Sequence, residues 1–306
     1  MKDVAFIFPG QGAQYVGMGK EIHDEFPAAQ TIFKKANEAL GFDITRLCFE
    51  GPEQELKPTL NCQPAIFTVS IACLEALYSQ RKSKHLNPNF MSGLSLGEYS
   101  ALAAANAFSF QDGLRLVRQR AEFMEQEAKK NPGKMAAVLG MDVEKVKVIC
   151  GSAGTQIANL NCPGQVVISG RQHNIDKAAE LVKSEGAKFA ILEVSGGFHS
   201  FLMKDAGKKL ANLLDDIELK EPDIPVISNV TANPEIVLTE IRMNLIEQIC
   251  SPVRWEDSVR YMVSAGIREF LEVGPGKILK GMLKRIDPEL KVYNIEKPQD
   301  IEDLPV

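Results

Sequence analysis

Residues 91–100 read Met-Ser-Gly-Leu-Ser-Leu-Gly-Glu-Tyr-Ser and contain the pattern Gly-x-Ser-x-Gly, centred on Ser95. This pattern is typical of a sharp turn between a strand and a helix that exposes one serine hydroxyl. Its two glycines suit such a turn because the strand and the helix pass too close for side chains. Residues 98–107 are rich in Ala and Leu and favour a helix packed against a sheet. Because so short a pattern also occurs by chance, an ordinary Gly-Ser loop before a buried helix is equally compatible with it.

The composition indicates a soluble globular protein. The chain has 306 residues, 45% hydrophobic and 25% charged, which is enough for one large core or two smaller ones. A net charge of -5, without a long basic run that includes aromatic residues, argues against a nucleic-acid partner. The apolar segment Val4–Phe8 stops at Pro9 and is too short for a signal peptide or a membrane span. We therefore expect a buried strand there and no membrane association.

The cysteines are scattered, without a Cys-x-x-Cys pair or a histidine spacing that suggests zinc. This usage predicts reduced thiols in or near the core, no metal site and a cytoplasmic location. The six positions are Cys48, Cys62, Cys73, Cys150, Cys162 and Cys250.

A glycine-rich loop, Pro-Gly-Gln-Gly-Ala-Gln at residues 9–14, follows the first strand. The dinucleotide pattern Gly-x-Gly-x-x-Gly fails because Tyr15 replaces the third glycine. A P-loop fails because Met18, not lysine, follows Gly17. What remains is a loop with exposed backbone amides that can donate to an anion or an oxyanion. A tight turn into a helix explains the same residues, so both interpretations stay open.

The helix predicted at 109–130, with Ser109 as its N-cap, is the most informative in the chain. At about 100° per residue, its apolar side chains cover one half of the helix, and Arg120 falls in the middle of that half. A buried guanidinium is costly unless it meets an anion. The anion can be a protein carboxylate, or a ligand carboxylate or phosphate held bidentately. A side chain that snorkels from the end of the stripe is the third interpretation.

After the break at residues 131–133, short alternating elements replace the long helices. Their order, strand-helix-strand-strand-helix-strand, is that of the ferredoxin-like unit. We therefore predict an inserted small domain at about 128–196. The predicted strands are 134–139, 155–160, 165–169 and 188–194, and the predicted helices are 142–150 and 174–185.

The flanking segments predict larger α/β elements. The predicted helices are 20–40, 63–80, 201–214, 237–249, 255–265 and 278–286, and the predicted strands are 4–8, 226–229 and 269–273. Residues 81–90 are expected to form a polar connection that leads to a short strand before Ser95. The acidic, Pro-containing tail 296–306 is expected to be poorly ordered.

Of the four histidines, three occupy what we expect to be ordinary surface positions, namely His23, His85 and His173. His199 follows a predicted strand and two glycines, in a loop that can bring an imidazole into a cleft. A serine hydroxyl is a poor nucleophile unless a base takes its proton, and His199 is the best partner available to Ser95. A structural histidine remains the alternative.

Taken together, these motifs resemble the malonyl-CoA:acyl carrier protein transacylases and the related acyltransferase domains of polyketide synthases. The resemblance spans nearly the whole chain and rests on motifs in one order. They are residues 9–14, 93–100, Arg120 with Met124, 158–170, 194–200, Gln248 with 252–255, and 272–277.

The resemblance implies an α/β fold with an α/β-hydrolase-like large domain, 1–127 and 197–306, and an inserted ferredoxin-like small domain, 128–196. Relatives have no acidic triad member, and a backbone carbonyl orients their histidine. That carbonyl maps here to the Gln248 region.

Carried over to this chain, the resemblance makes Ser95 the nucleophile and His199 the general base and acid. The backbone amides of Gln11 and Leu96 match the oxyanion hole, and Arg120 matches the residue that holds the malonyl carboxylate. The implied residues that line the site or orient the histidine are Gln63, Asn161, Phe198 and Gln248.

The implied reaction is a ping-pong transfer without a cofactor or metal. The substrates are malonyl-CoA, a CoA thioester, and holo acyl carrier protein, and the enzyme is a monomer. An acidic carrier is expected to dock on a basic patch that the sequence does not locate.

Two positions depart from the pattern of relatives. Leu94 stands where many have histidine, and Gly197 stands where alanine is common, which predicts more room beside His199. Phe198 and Leu96 resemble the malonyl-accepting versions of these motifs.

Three alternatives remain beside a transacylase of fatty-acid synthesis. An acyltransferase that serves a polyketide synthase fits the same motifs. A hydrolase that clears stalled carriers usually lacks the arginine, so Arg120 argues against it. A non-catalytic docking protein does not need both Ser95 and His199.

Overall fold

The computed structural model describes residues 3–80 and 86–305. Residues 81–85 of the predicted connection, with His85, lie outside the described residues, and the short strand predicted before Ser95 begins at Phe90. The strands are β1 (Val4–Phe8), β2 (Phe90–Gly93), β3 (Lys134–Leu139), β4 (Gln156–Cys162), β5 (Gln165–Gly170), β6 (Lys188–Ile191), β7 (Val226–Ile227), β8 (Pro234–Glu235), β9 (Glu269–Val273) and β10 (Lys291–Ile295). The α-helices are α1 (Lys20–Glu25), α2 (Pro27–Leu40), α3 (Ile44–Glu50), α4 (Glu53–Leu56), α5 (Thr59–Ser79), α6 (Leu96–Ala104), α7 (Phe110–Lys130), α8 (Val143–Ala153), α9 (Gln172–Ser184), α10 (Lys204–Leu214), α11 (Leu238–Gln248), α12 (Trp255–Ser264), α13 (Ile278–Ile286) and α14 (Pro298–Glu302).

A six-stranded sheet, ordered β10-β9-β1-β2-β7-β8, is parallel except for β8. Every residue of β1 is buried, because alternate side chains enter separate hydrophobic cores on the two faces of the sheet. β1 pairs with β2 so that Phe8 lies opposite Gly93. The glycine-rich loop and the turn at Ser95 therefore leave neighbouring strands at the same edge, where open α/β sheets bind ligands.

Helix α5 packs against α2 and α7 in the core of this larger part. Among the described residues, α5 is the only helix long and apolar enough to cross a membrane. Its most apolar stretch is 83% buried within the protein, so its composition is explained by its place in the core.

A second, four-stranded antiparallel sheet is ordered β4-β5-β3-β6. Its elements follow the predicted strand-helix-strand-strand-helix-strand order, and α8 and α9 enclose a separate hydrophobic core with it. Backbone hydrogen bonds join this sheet to the larger part. Leu160 N donates to Val253 O at 2.9 Å, and Val253 N donates to Ala158 O at 2.8 Å.

Most predicted elements are present with small shifts of their ends. β1, β3, β9 and α13 have the predicted bounds, and Ser109 caps α7 by accepting from Asp112 N. The predicted helix 20–40 divides at Pro27 into α1 and α2. The predicted helix 63–80 begins one turn early, at Thr59, and contains Pro64. The predicted helix 201–214 opens with a 3-10 turn, Phe201–Met203.

The prediction of a poorly ordered tail is wrong for residues 296–305. Ile301 is 1% exposed and Leu304 4% exposed, since both side chains enter the main core. The Glu296 carboxylate accepts from Tyr15 Oη at 2.6 Å and from Gly276 N at 2.8 Å. Two apolar anchors and one buried acceptor thus order a segment whose average composition is polar.

Candidate active site

The turn between β2 and α6 places Ser95 at φ 52° and ψ -99°, in a region that side-chain-bearing residues rarely adopt. Two amides hold this conformation. Ser95 N donates to Asn229 Oδ1 at 2.7 Å, and Gln248 Nε2 donates to Ser95 O at 3.0 Å. The turn is therefore fixed by residues far away in the chain.

Both glycines of the motif are required by close approach. A Cβ on Gly93 would lie 2.0 Å from the carbonyl carbon of Gly97, and a Cβ on Gly97 would lie 2.0 Å from Phe8 O. Neither position has room for a side chain. The stretch is thus the strained strand–helix turn, and the alternative of an ordinary Gly-Ser loop is excluded.

His199 reaches the turn from the end of the segment that follows β6. Its Nε2 lies 2.8 Å from Ser95 Oγ, and its Nδ1 lies 2.7 Å from Gln248 O. A carbonyl can only accept, so Nδ1 carries the proton and Nε2 is left to accept from the serine. The geometry is that of a nucleophile with its base and a third group that orients the base.

Burial, and secondly the charge of Arg120, lower the pKa of His199 to about 4. Both causes disfavour the imidazolium, because it would be a buried cation beside another cation. The ring is therefore neutral near pH 7, which is the form that can take a proton from Ser95.

Arg120 is fully buried and lies against Ser95. Its Nη2 donates to Ser95 Oγ at 3.0 Å and to Gln248 Oε1 at 2.9 Å, and its Nη1 donates to Gln63 Oε1 at 2.8 Å. Within the described part of the chain, no carboxylate forms an ion pair with it, so the buried salt bridge is not present. A snorkelling side chain is excluded because Arg120 is 0% exposed. The guanidinium therefore contacts neutral oxygens and the Tyr99 ring, whose centroid lies 5.1 Å from Cζ, and it has no carboxylate partner in the described structure.

A cavity of about 310 Å³ opens beside Ser95 and His199. Strands of the small sheet supply Met135 and Gln165 to its walls, and helix α13 supplies Ile278. The cavity has the size and mixed lining of a small-molecule site. The predicted residues that line it are Gln11, Gln63, Ser95, Asn161, Phe198 and His199.

The predicted lining residues also make or offer polar contacts. Gln63 Nε2 donates to Gln11 Oε1 at 3.4 Å, so the loop after β1 is tied to α5. Asn161 is buried, and its Oδ1 has no hydrogen-bond partner among the described residues. Backbone N–H groups of Gln11 and Leu96 also donate to no protein group in that part of the chain. These groups are free to contact a ligand.

Two residues of the site escaped the sequence reasoning. Glu98 is fully buried in the first turn of α6, and its carboxylate accepts from Gln248 Nε2 at 2.7 Å. Asn229, just after β7, also donates to that carboxylate through its backbone N at 3.0 Å. The available signal was an acidic residue at the start of a helix that otherwise reads as buried.

The departure at Gly197 has a different consequence from the one expected. A Cβ there would meet Leu202 Cδ1 at 2.8 Å and Ser169 Oγ at 3.1 Å. An added methyl group would therefore press on these two side chains and not on His199. The expectation of more room beside His199 is wrong. Leu94 is half-buried and lines the cavity.

His23, His173 and the cysteines do not line this cavity. His23 is half-buried beside Asp24, and His173 is exposed at the start of α9. The cysteines are unpaired, and all but Cys250 are buried. Within residues 3–80 and 86–305, no group of three or more His, Cys, Asp or Glu side chains has the arrangement of a metal site.

The fold and the site together define the class of serine enzymes that act on acyl groups. The sequence profile described as "Acyl transferase domain" matches residues 5–289, so the chain belongs to the acyl transferase domain family. Two curated relatives are named malonyl CoA-acyl carrier protein transacylase. The one from Bacillus subtilis is 47% identical over 99% of this chain and 96% of its own length. The one from Staphylococcus aureus is 41% identical over 98% of each chain.

Solved structures are similar over almost the whole chain. The acyl-carrier-protein S-malonyltransferase of Burkholderia pseudomallei superimposes with a TM-score of 0.94 at 38% identity, over 98% of each chain. A complex between a type II polyketide synthase acyl-carrier protein and its malonyl-transacylase gives a TM-score of 0.93 at 35% identity, over 98% of this chain and 97% of the other. These matches share the mixed α/β fold described above.

Proposed function

We propose that the chain transfers malonyl from malonyl-CoA to the phosphopantetheine thiol of acyl carrier protein in fatty-acid biosynthesis, through a malonyl ester on Ser95. The observation that carries this proposal is the buried Arg120 guanidinium, which touches Ser95 Oγ and has no carboxylate partner in the described structure. A malonyl group brings the missing carboxylate to the place where acyl transfer occurs. The names of the curated relatives support the same activity.

The first half-reaction forms the ester. His199 Nε2 takes the proton from Ser95 Oγ as the hydroxyl attacks the thioester carbonyl carbon. The backbone amides of Gln11 and Leu96 stabilise the tetrahedral oxyanion, while Arg120 holds the malonyl carboxylate. The C–S bond then breaks, and the sulfur of CoA leaves as a thiol with the proton from His199.

The second half-reaction reverses these steps with a different thiol. His199 takes the proton from the phosphopantetheine thiol, and the sulfur attacks the ester carbonyl. The C–O bond to Ser95 breaks, and His199 returns the proton to Oγ. Protons and bonds balance between the two substrates, Ser95 and His199, so we propose that the reaction uses no cofactor.

The division into domains is also a proposal. We assign residues 1–127 and 197–306 to an α/β-hydrolase-like large domain and 128–196 to a ferredoxin-like small domain. The strand order of the second sheet and its separate core support this division. Helix α7 crosses the first boundary and ends at Lys130.

We further propose that an acidic carrier docks on the basic face of α13. Ile278 and Met282 of this helix line the cavity, so α13 lies directly beside it. Lys277, Lys284 and Arg285 are exposed, and in the described part of the chain none forms an ion pair with a carboxylate. Exposed cations that are not neutralised by carboxylates attract an acidic partner.

Charge reversal tests this docking surface. Lys277→Glu with Lys284→Glu is expected to raise the KM for holo carrier about tenfold at low salt, with less effect at high salt. The matched control is Lys183→Glu on the exposed face of α9. If Lys183→Glu raised the KM as much as Lys277→Glu with Lys284→Glu, the docking surface would lie elsewhere.

The remaining features are proposed from the resemblance and the residues together. The enzyme acts as a cytoplasmic monomer, without a membrane or nucleic-acid partner. A second candidate is an acyltransferase that serves a polyketide synthase, which the similarity to the carrier complex favours. Arg120 argues against a carrier-clearing hydrolase, and the 2.8 Å Ser95–His199 contact argues against a non-catalytic docking protein.

Intact mass spectrometry tests the transfer. Malonyl-CoA alone is expected to add one malonyl group to the protein, and Ser95→Ala should abolish the adduct. Addition of holo carrier should discharge the enzyme and produce malonyl carrier. The absence of an adduct would reject the proposal, and release of free malonate in the presence of carrier would indicate a hydrolase.

A further inference from the structure

Glu98 is a fully buried carboxylate that the transfer mechanism does not use. It forms no ion pair with a Lys, Arg or His side chain among the described residues. Burial, and secondly the nearby Glu235, raise the pKa of Glu98 well above its ordinary value. A buried carboxyl group without a cationic partner is costly, so its presence beneath Ser95 calls for a specific use.

One oxygen of Glu98 fixes the orientation of the Gln248 amide. Glu98 Oε2 accepts from Gln248 Nε2 at 2.7 Å, and the same nitrogen donates to Ser95 O at 3.0 Å. Both N–H groups of the amide are then used, so its oxygen must face the other way. That oxygen accepts from Arg120 Nη2 at 2.9 Å. If the amide rotated, its N–H groups would face the guanidinium, and Arg120 would lose an acceptor.

Glu98 Oε2 also holds the serine turn, through Asn229. Asn229 N donates to Glu98 Oε2 at 3.0 Å. The side chain of Asn229 then clamps the turn on both sides, because its Nδ2 donates to Gly93 O at 2.7 Å and its Oδ1 accepts from Ser95 N at 2.7 Å. Glu98 Oε2 thus accepts hydrogen bonds both from Gln248, which contacts Arg120, and from Asn229, which holds the Ser95 turn.

We propose that Glu98 is a positioning residue, which sets the Arg120 guanidinium through Gln248 and the Ser95 turn through Asn229, and thereby contributes to selection of the malonyl group. This inference rests on the proposed transfer reaction. In this role Glu98 acts as a hydrogen-bond acceptor through Oε2, and its negative charge is not required.

The experiment compares variants that keep or remove the acceptor. Glu98→Gln retains a carbonyl oxygen, whereas Glu98→Met has similar length and no strong acceptor. For each variant, kcat/KM for Ser95 acylation is measured with malonyl-CoA and with acetyl-CoA. Glu98→Met should lower the malonyl-to-acetyl ratio about tenfold or more, because the Gln248 amide can then rotate and the charged Arg120 loses an acceptor. Glu98→Gln should retain the wild-type ratio.

The matched control is Glu127→Met, which removes another buried carboxylate outside this network. It should leave the ratio unchanged, although it lowers the melting temperature. Equal ratios in Glu98→Met and Glu127→Met would overturn the proposal, and so would a Glu98→Gln variant as poor as Glu98→Met. If Glu98→Met does not fold, Gln248→Leu decides, because it breaks the same link to Arg120. An unchanged ratio in Gln248→Leu overturns the inference.

The wild-type arm separates this inference from the function on which it rests. A wild-type enzyme that forms no malonyl ester contradicts the proposed transfer. A wild-type enzyme that forms the ester, with an unaltered ratio in Glu98→Met, contradicts only the role of Glu98.

Discussion

In the proposed reaction, selectivity between acyl groups depends on Arg120, a buried cation that has no carboxylate partner among the described residues. The oxygens that surround Arg120, from Gln63, Gln248 and Ser95, are all neutral. A protein carboxylate at this place would neutralise the guanidinium and occupy the ligand position. In the proposed reaction, the ligand supplies the negative charge instead. Malonyl supplies it and acetyl does not, so one side chain can distinguish two acyl groups of similar reactivity.

Replacement of Arg120 should therefore change selectivity more than basal chemistry. Arg120→Ala is expected to lower kcat/KM for malonyl-CoA about a hundredfold, because a charge-assisted bidentate contact is lost. The rate with acetyl-CoA should fall much less, so the malonyl-to-acetyl ratio drops. Acylation rates with both thioesters provide the measurement. Arg115→Ala, at an exposed position of the same helix, is the control. An unchanged ratio would show that the carboxylate is held elsewhere.

The pH dependence of acylation should report the environment of His199. Its pKa is lowered to about 4, first by burial and then by the Arg120 charge, so the base stays neutral well below its ordinary pKa of 6.5. The single-turnover rate of Ser95 malonylation should change little between about pH 8 and pH 5 and fall as the pH drops toward 4. Arg120→Ala should move the midpoint upward, because one of the two causes is removed. A wild-type midpoint near 6.5 contradicts this account.

The same shift affects stability in a defined direction. His199 binds a proton more readily in the unfolded chain, so its contribution to stability is present above pH 6.5 and is lost as the pH falls toward 4. Circular dichroism at each pH should accompany the rate measurements, so that acid unfolding is distinguished from protonation of the base in the folded enzyme.

At the scale of elements, the serine turn depends on how closely β1, β2 and α6 approach. Gly97 faces Phe8 O so closely that an added methyl group would lie 2.0 Å from it. A carbonyl in a central strand cannot move aside without disturbing the pairing of β1 with β2. The glycine is thus a packing requirement of the sheet as well as a feature of the site.

Gly97→Ala should consequently destabilise the whole fold. Overpacking against backbone typically costs about 1–3 kcal/mol, and the lack of any space here favours the upper end. The matched control is Gly151→Ala in α8, where an added Cβ meets nothing within 4 Å. That change should stabilise the protein by up to about 1 kcal/mol, because alanine is the better helix former. Urea unfolding of both variants measures the difference, and equal midpoints would contradict the packing argument.

Elements with a strong local signal could be predicted from the sequence, and those without one could not. β3 and β9 were bounded by clear breaks, and the cap at Ser109 located the start of α7. β10 and the two-residue β8 gave no comparable pattern, and they form because neighbouring strands offer free edges. The prediction for the tail is wrong because it rests on an acidic average composition, whereas Ile301 and Leu304 pack into the main core.

At the scale of the whole molecule, the site is assembled from distant parts of the chain. Ser95 and His199 are separated by the entire small sheet, and Gln248 comes from the end of α11. The sequence motifs indicate Ser95, His199 and Arg120 separately, each from its own local pattern. Their convergence followed from the family resemblance, because no local pattern encodes contacts across about a hundred residues. Glu98 and Asn229 were missed for the same reason, since their roles exist only after the fold has formed.

The C-terminal segment packs into the main core, so its removal should lower the free energy of unfolding. A chain that ends at Lys297 loses the buried side chains of Ile301 and Leu304, which together should lower the free energy of unfolding by about 3–5 kcal/mol. A chain that ends at Leu304 keeps both anchors and serves as the control. At low temperature the shortened enzyme should still malonylate Ser95, because the segment does not line the cavity. Urea midpoints that do not differ between the two chains would show that the tail contributes no stability, whatever its burial.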